Sequence, residues 1–332
     1  MVALGGGHGL AASLIALRRL SDDITAVVTV ADDGGSSGRL RAQMPDLLPP
    51  GDLRMALAAL AGDGPESDVW GRLLQERFPE VPGPDGVDVG GHAVGNLLLA
   101  GLTRVLGDPV AALDRVAALV GAVGRVLPMA LEPVTIEATV DGSAPARRVR
   151  GQVAVASAPG RVRRVTLDPP EPRLCPEVLA ALAAADAVVL GPGSLFTSVL
   201  PHLLVPRLRD AVLRPDLTRV LVLNLVAQEG ETDGFSPARH VRELARCVPG
   251  LRLDAVVADD AAVPVGGPDA RALAAAAAAV GASVVLCPVA ARTGGVALPV
   301  HDAGGLAAAL RPLLGSRPRS AGPARALAGG AR

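Results

Sequence analysis

The sequence contains no tyrosine and no lysine, and aromatic residues make up 1% of its 332 positions. A core without rings must be filled by Val, Leu, Ile and Ala, which favours Leu/Ala-rich helices packed on Val-rich strands. With lysine missing, all 32 basic residues are arginines, set against 33 acidic ones. The formal net charge of −1 gives no electrostatic footprint for DNA or RNA. Cysteine is also scarce. Cys175, Cys247 and Cys287 stand far apart with no CxxC pair, which excludes a disulfide framework and reads as reduced thiols in a reducing cytoplasm. No run of about 18 apolar residues is free of charges or turn signals, so no membrane span is expected. The opening MVALGGG is too short and too glycine-rich for a signal peptide, and a cytoplasmic location follows as an expectation. There is no GxxxxGK[ST] and no HExxH, and the five histidines lack the spacing of a zinc site.

What is present reads as an α/β chain. Val2 to Leu4 is a short buried strand, Leu10 to Leu20 has helical spacing, and Ile24 to Val30 is a second, β-branched strand. Strand–helix–strand order implies a right-handed crossover and a parallel sheet. The pattern returns with the strands Ala187 to Leu190, Val220 to Val226, Asp254 to Ala258 and Ser283 to Cys287, separated by helical stretches. Between them, residues 125–167 alternate differently. VTIEATV, GQVAVA and VRRVTL read as three strands of an antiparallel excursion. The expected fold class is therefore α/β: a Rossmann-like, mostly parallel sheet with helices on both faces and a small antiparallel excursion. The expected organisation is one domain over residues 1–314, with the insertion at about 125–167, and a disordered Gly/Pro/Ala/Arg-rich tail at 315–332.

Three glycine turns follow strands, at the edge where open parallel sheets bind ligands. In the first, Gly5, Gly6, Gly7, His8 and Gly9 let the backbone approach an anion, while the following helix points its N–H groups and positive dipole end at it. The match to GxGxxG is broken at Leu10, and an ordinary glycine turn is the competing reading. The second holds Asp32 and Asp33, then Gly34, Gly35, Ser36, Ser37, Gly38 and Arg39. A carboxylate there suits a ribose hydroxyl or Mg²⁺, the glycines and serines offer N–H and hydroxyl donors, and Arg39 a forked cation for phosphate. The competing reading is a solvated turn with an Asp cap. The third is Gly191, Pro192, Gly193 and Ser194, where Ser194 as a plain N-cap is the alternative. Asn224 stands in the apolar run VLVLNLV, as a structural clamp or a ligand contact. Glu231, Thr232 and Asp233 follow at the same sheet edge, and His92 and Asn96 lie four apart, on one helical face.

In order, the runs GGGHGL, TAVVTVADDGGSSGRLR, PPGDLR, GHAVGNLLLAGL, VLGPGSLFTSVLP and LNLVAQEGETDGF resemble the YvcK family of gluconeogenesis factors, relatives of the CofD 2-phospho-L-lactate transferases. The likeness spans about residues 2–310, and GGGHGL in place of GGGTGL looks like the actinobacterial branch. The resemblance implies a Rossmann-like core that binds a UDP-sugar, notably UDP-N-acetylglucosamine. It also implies a role in gluconeogenic growth, cell shape and wall synthesis rather than a defined turnover. The related transferases move a phospholactyl group onto a deazaflavin alcohol. Two positions depart from the family pattern: Met55 stands where Asn is frequent, and Val300 stands where Arg precedes His301-Asp302.

These readings give a UDP-sugar-binding regulatory protein as the expected function, with a CofD-type transferase as the alternative. An NAD-dependent oxidoreductase ranks last, because the glycine fingerprint is broken and no hydride-site acid stands out. The expected nucleotide ligands are Gly5, Gly6, Gly7, His8, Gly9, Asp33, Gly34, Gly35, Ser36, Ser37, Arg39, Asn96, Gly191, Gly193, Ser194, Asn224, Thr232 and Asp233. Asp32 and Asp33 are the pair expected at Mg²⁺ or, in an enzyme, at the chemistry. Nucleic acid and membrane are not expected partners; a homodimer is left open.

Overall fold

The computed structural model describes residues 1–80, 89–141, 146–228, 230–294 and 296–315. The expected tail, from 316 on, lies outside the described residues. The chain opens with β1 (Val2–Gly5), α1 (Gly7–Leu17), β2 (Thr25–Val28), α2 (Gly35–Gln43), α3 (Pro50–Ala59), α4 (Pro65–Gln75), α5 (Val94–Leu106), α6 (Pro109–Leu119) and β3 (Arg125–Pro128). An excursion follows, made of β4 (Thr135–Asp141), β5 (Arg147–Arg150), α7 (Gln152–Ala156) and β6 (Arg161–Asp168). The chain then runs through α8 (Pro176–Ala184), β7 (Ala187–Leu190), a π turn (Leu195–Val199), α9 (Leu200–Leu204), α10 (Pro206–Val212), β8 (Thr218–Val222), α11 (Pro237–Cys247), β9 (Ala255–Asp259), α12 (Pro268–Ala278) and β10 (Ser283–Cys287). A hairpin of β11 (Ala290–Thr293) and β12 (Val296–His301) precedes α13 (Ala303–Leu314).

Seven strands form one parallel sheet in the order β10-β9-β8-β7-β1-β2-β3. Its central strands are apolar on both faces, as a sheet covered by helices on each side requires: Val2, Ala3 and Leu4 of β1 and Val188, Val189 and Leu190 of β7 are all buried. The strand order reverses between β1 and β7, and the crevice at such a reversal is where this architecture binds ligands. Proline punctuates the helical layers. Pro50, Pro65, Pro109, Pro176, Pro206, Pro237 and Pro268 each open a helix, where a fixed φ and a missing N–H cost nothing.

The excursion is a three-stranded antiparallel sheet in the order β5-β4-β6. Two details differ from the sequence reading. GQVAVA is the short helix α7, not a strand, and the strand beside β4 is RRVR of β5. Apolar alternation over five residues cannot separate a strand from one and a half helical turns; the carboxylate of Asp33, capping α7 from a distant loop, settles it. Residues 125–128, expected at the head of the excursion, form β3, the edge of the parallel sheet.

Candidate functional site

The first and third glycine turns meet at the sheet's reversal point. A Cβ on Gly9 would overlap the carbonyl oxygen of Pro192, so glycine is what lets the turn after β7 lie against the start of α1. Neither α1 nor α2, the helices behind the first two glycine turns, has a side-chain cap: their N-cap residues are Gly6 and Gly34. By contrast, Asp108, Ser236 and Asp302 cap α6, α11 and α13. Apart from the Gly7 N–H, which the carboxylate of Asp52 takes, the first-turn N–H groups of α1 and α2 have no side-chain acceptor among the described residues and stay open to an external one.

The second glycine turn is anchored by α3. Ser37 Oγ accepts the N–H of Gly51 at 3.0 Å, and a Cβ on Gly51 would sit 2.6 Å from both Asp32 Oδ2 and Ser37 Oγ. Asp52, the next residue, is buried and reaches across to α1, where Gly7 N–H donates to its carboxylate. Its Oδ2 has no hydrogen-bond partner among the described residues. Burial first, and then the charge of nearby Asp32, pushes the Asp52 carboxyl up to about 7. Asp52 stands in the first turn of α3, where an acid ordinarily serves its own helix, but its side chain leaves that helix for the neighbouring one.

Behind the turn lies a polar network. Arg54 Nε donates to Asn96 Oδ1 at 2.9 Å, Asn96 Nδ2 donates to Ser36 Oγ at 2.9 Å, and Ser36 Oγ lies 2.8 Å from His92 Nδ1. All four residues are buried. Burial, the larger effect, and then the charge of Arg77 lower the Arg54 guanidinium to about 10. Ser36 is the middle residue of a G-x-S-x-G run, the spacing of a nucleophile elbow, yet its hydroxyl is spent inward, not displayed at a strand tip. His92 precedes α5, which starts at Val94, so it is not a helical residue as expected, although it still shares Ser36 with Asn96.

Several expected ligands turn out to be occupied. Both carboxylate oxygens of Asp33 accept N–H groups of α7, from Gln152 and Val153 at 2.9 Å each, which leaves Asp32 as the member of the pair facing Asp52. Arg39 donates to the carbonyl of Gly90 at 2.7 Å. Asn224 lies beyond the end of β8, not inside the strand, and grips Gly193 from both sides: it accepts its N–H and donates to its carbonyl, each at 2.8 Å. Of the two roles left open for it, clamp is the one its bonds serve. Ser194 Oγ donates to Glu231 at 2.5 Å and bonds Thr197, and Glu231 also accepts the N–H of Phe196 at 2.6 Å. Burial raises the Glu231 carboxyl, and the bond from Ser194 opposes it. Thr232 accepts the N–H of Gln228, and Asp233 that of Gly230, so the segment behind β8 is tied to itself. Gly5, Gly6, Gly7 and Gly9 line the first turn, where His8 is exposed, and Gly34 and Gly35 the second. Met55 lies one turn beyond Asp52 on a groove between α1, α3 and α4, and Val300 is exposed on β12.

Comparison with known proteins places this architecture. The family model described as 2-phospho-L-lactate transferase CofD matches residues 1–281. This chain belongs to the CofD family. Among its members, a Mycobacterium tuberculosis protein provisionally named as a gluconeogenesis factor is 54% identical over 268 residues, covering 80% of this chain and 77% of that one. The gluconeogenesis factor of Bacillus subtilis is 40% identical over 240 residues, 72% of each chain. A crystal structure of a UPF0052 family protein from Bacillus halodurans superposes with a TM-score of 0.79 at 32% identity, covering 93% of this chain and 98% of that one. In this CofD-family chain no described helix is long and apolar enough to cross a membrane.

Proposed function

We propose that this CofD-family protein binds a nucleoside-diphosphate sugar of the UDP-N-acetylglucosamine type at the reversal point of its sheet and acts in the cytoplasm as a regulatory gluconeogenesis factor linked to cell shape and wall synthesis. The observation that carries the reading is the meeting of glycine turns at one crevice, with two helix N-termini opened by glycine, of whose first-turn amides a side chain among the described residues takes only that of Gly7. Such uncapped amides suit a diphosphate. The clamps on Gly193 and Ser194 pre-form the third turn, which lowers the ordering cost of binding.

A divalent cation fits one place in this arrangement. Asp32 and the orphaned Oδ2 of Asp52 supply two hard oxygen donors, and Mg²⁺ would draw its others from water and the ligand's phosphates. Asp33, capping α7, is not part of that pair. The same two carboxylates favour a second reading, transfer of a 2-phospholactyl group from a nucleotide diphosphate donor to a deazaflavin acceptor. There Asp32 and Asp52 would hold the cation against the diphosphate leaving group while the turns position it. Calorimetry with UDP-N-acetylglucosamine, with and without Mg²⁺, tests the first reading: saturable heat is expected, and none at high micromolar ligand overturns it. Incubation with a phospholactyl nucleotide and the deazaflavin alcohol tests the second by product formation.

A further inference from the structure

The antiparallel excursion leaves one strand half-paired. β6 pairs with β4 alone, and among the described residues no hydrogen bond reaches the main-chain groups on its outer side between Arg161 and Leu167. Along that side lies a row of three cavities of about 320, 320 and 280 Å³, the first two sharing Arg163 and Arg246 and the last two Arg161 and Val162 as walls. Their walls include every residue from Pro159 to Leu167 in unbroken succession. Because successive side chains of a strand point to opposite faces, a groove that touches each in turn must follow the strand's edge, not one of its faces. The eight residues of β6 extend over roughly 26 Å, room for a short extended segment.

The groove is basic on both sides. Arg161, Arg163 and Arg164 stand on the strand, and Arg239 and Arg246 come from α11 opposite. Arg163 is paired with Asp141, Arg246 with Glu243, and Arg239 stacks 3.9 Å over Phe235. Arg161 and Arg164 are exposed and have no ion pair among the described residues. Of the two acids that line the groove among the described residues, Glu231 is spent on Ser194 and Phe196, and Asp233 on Gly230. A second copy of this chain would bring the same three strand arginines into an already basic trough. Its C-terminal residues from 316 on carry four arginines and no acid. An unpaired strand edge flanked by uncompensated cations instead suits an extended chain of opposite charge.

We propose that the free edge of β6 takes an extended acidic peptide segment of a partner protein as an added strand, its main chain bonding β6 and its carboxylates meeting Arg161 and Arg164. The test is fluorescence anisotropy with a labelled octapeptide of alternating Glu and Val. Saturable binding is expected, with a dissociation constant that rises steeply with salt. Arg161→Glu combined with Arg164→Glu should weaken it about tenfold or more while leaving the unliganded melting temperature in place, since both side chains are exposed. Amide hydrogen exchange over 162–166 should slow when the peptide binds. The proposal is overturned if no saturation is reached at about 1 mM peptide, or if the Gln-for-Glu peptide binds equally well. It is also overturned if a peptide N-methylated at alternate residues matches the parent, which would leave charge without strand pairing, or if a single-stranded RNA octamer binds more tightly than the peptide.

Discussion

Asp52 concentrates the chemistry of the crevice in one side chain. Its folded-state pKa of about 7 lies above its unfolded value, so the native state holds the extra proton between roughly pH 4 and 7. Stability contributed through this group is therefore present at low pH and is lost as pH rises through that window, by about 4 kcal/mol at most. Asp52→Asn keeps the shape and deletes the charge. In chelator, urea unfolding should show the variant more stable than the parent by about 1–3 kcal/mol at pH 8, with the gap narrowed to roughly 40% of that at pH 5 and closed near pH 4. Adding Mg²⁺ at pH 8 should stabilise the parent and not the variant. A variant less stable than the parent at pH 8 would mean that the carboxylate is held by bonds stronger than its burial is costly. Asn224 gives the complementary residue-scale prediction. Asn224→Ala strands both main-chain groups of Gly193, at a cost of about 1–3 kcal/mol, and amide exchange over 191–194 should accelerate. Sequence alone marked Asn224, set in an apolar run, as a residue needing partners. It could not choose between backbone and ligand, because that choice depends on a turn 31 residues away.

Among the elements, the glycine turns separate two reasons for glycine that sequence cannot distinguish. Gly9 is needed for close approach, since a Cβ there would meet the Pro192 carbonyl. Gly35 is needed for its backbone, at φ 43° with open space around it. Gly9→Ala should therefore push the two turns apart, costing about 2 kcal/mol or more and abolishing ligand-induced stabilisation. Gly35→Ala should cost only about 1 kcal/mol and unsettle the start of α2. Thermal melts with and without UDP-N-acetylglucosamine separate the two outcomes. β3 was read with the excursion, but the other six parallel strands were legible, each as a short β-branched or apolar run. GQVAVA was not, since its helical state is imposed by Asp33 from more than a hundred residues earlier in the chain. The same capping contact occupies both carboxylate oxygens of Asp33 and leaves Asp32 as the acidic neighbour of Asp52, a pairing that only the docking of α3 against the β2–α2 turn brings about.

At the scale of the whole molecule, acid resistance is limited by histidines sealed into an aliphatic interior. His202 Nε2 lies 3.1 Å from the carbonyl of Val27, which can only accept, so that nitrogen carries the proton; Nδ1 has no partner among the described residues. Burial lowers His202 to about 4, and burial alone lowers His240 to about 4. Both are depressed below the unfolded value, so the unfolded chain binds more protons between pH 4 and 6.5, and stability is lost as pH falls through that window. Two such groups outweigh Asp52, whose protonation acts in the opposite sense over the same range. Net stability should fall by about one proton's worth of linkage, near 1.4 kcal/mol per pH unit, on acidification from pH 6.5 to 4.5. His240→Leu places an apolar side chain where only burial shifts the imidazole. It should cancel roughly half of the histidine contribution and so bring the profile close to flat, as urea midpoints at half-unit pH intervals would show. An unchanged acid slope in that variant would locate the proton uptake elsewhere, and His202→Leu would then have to remove it all.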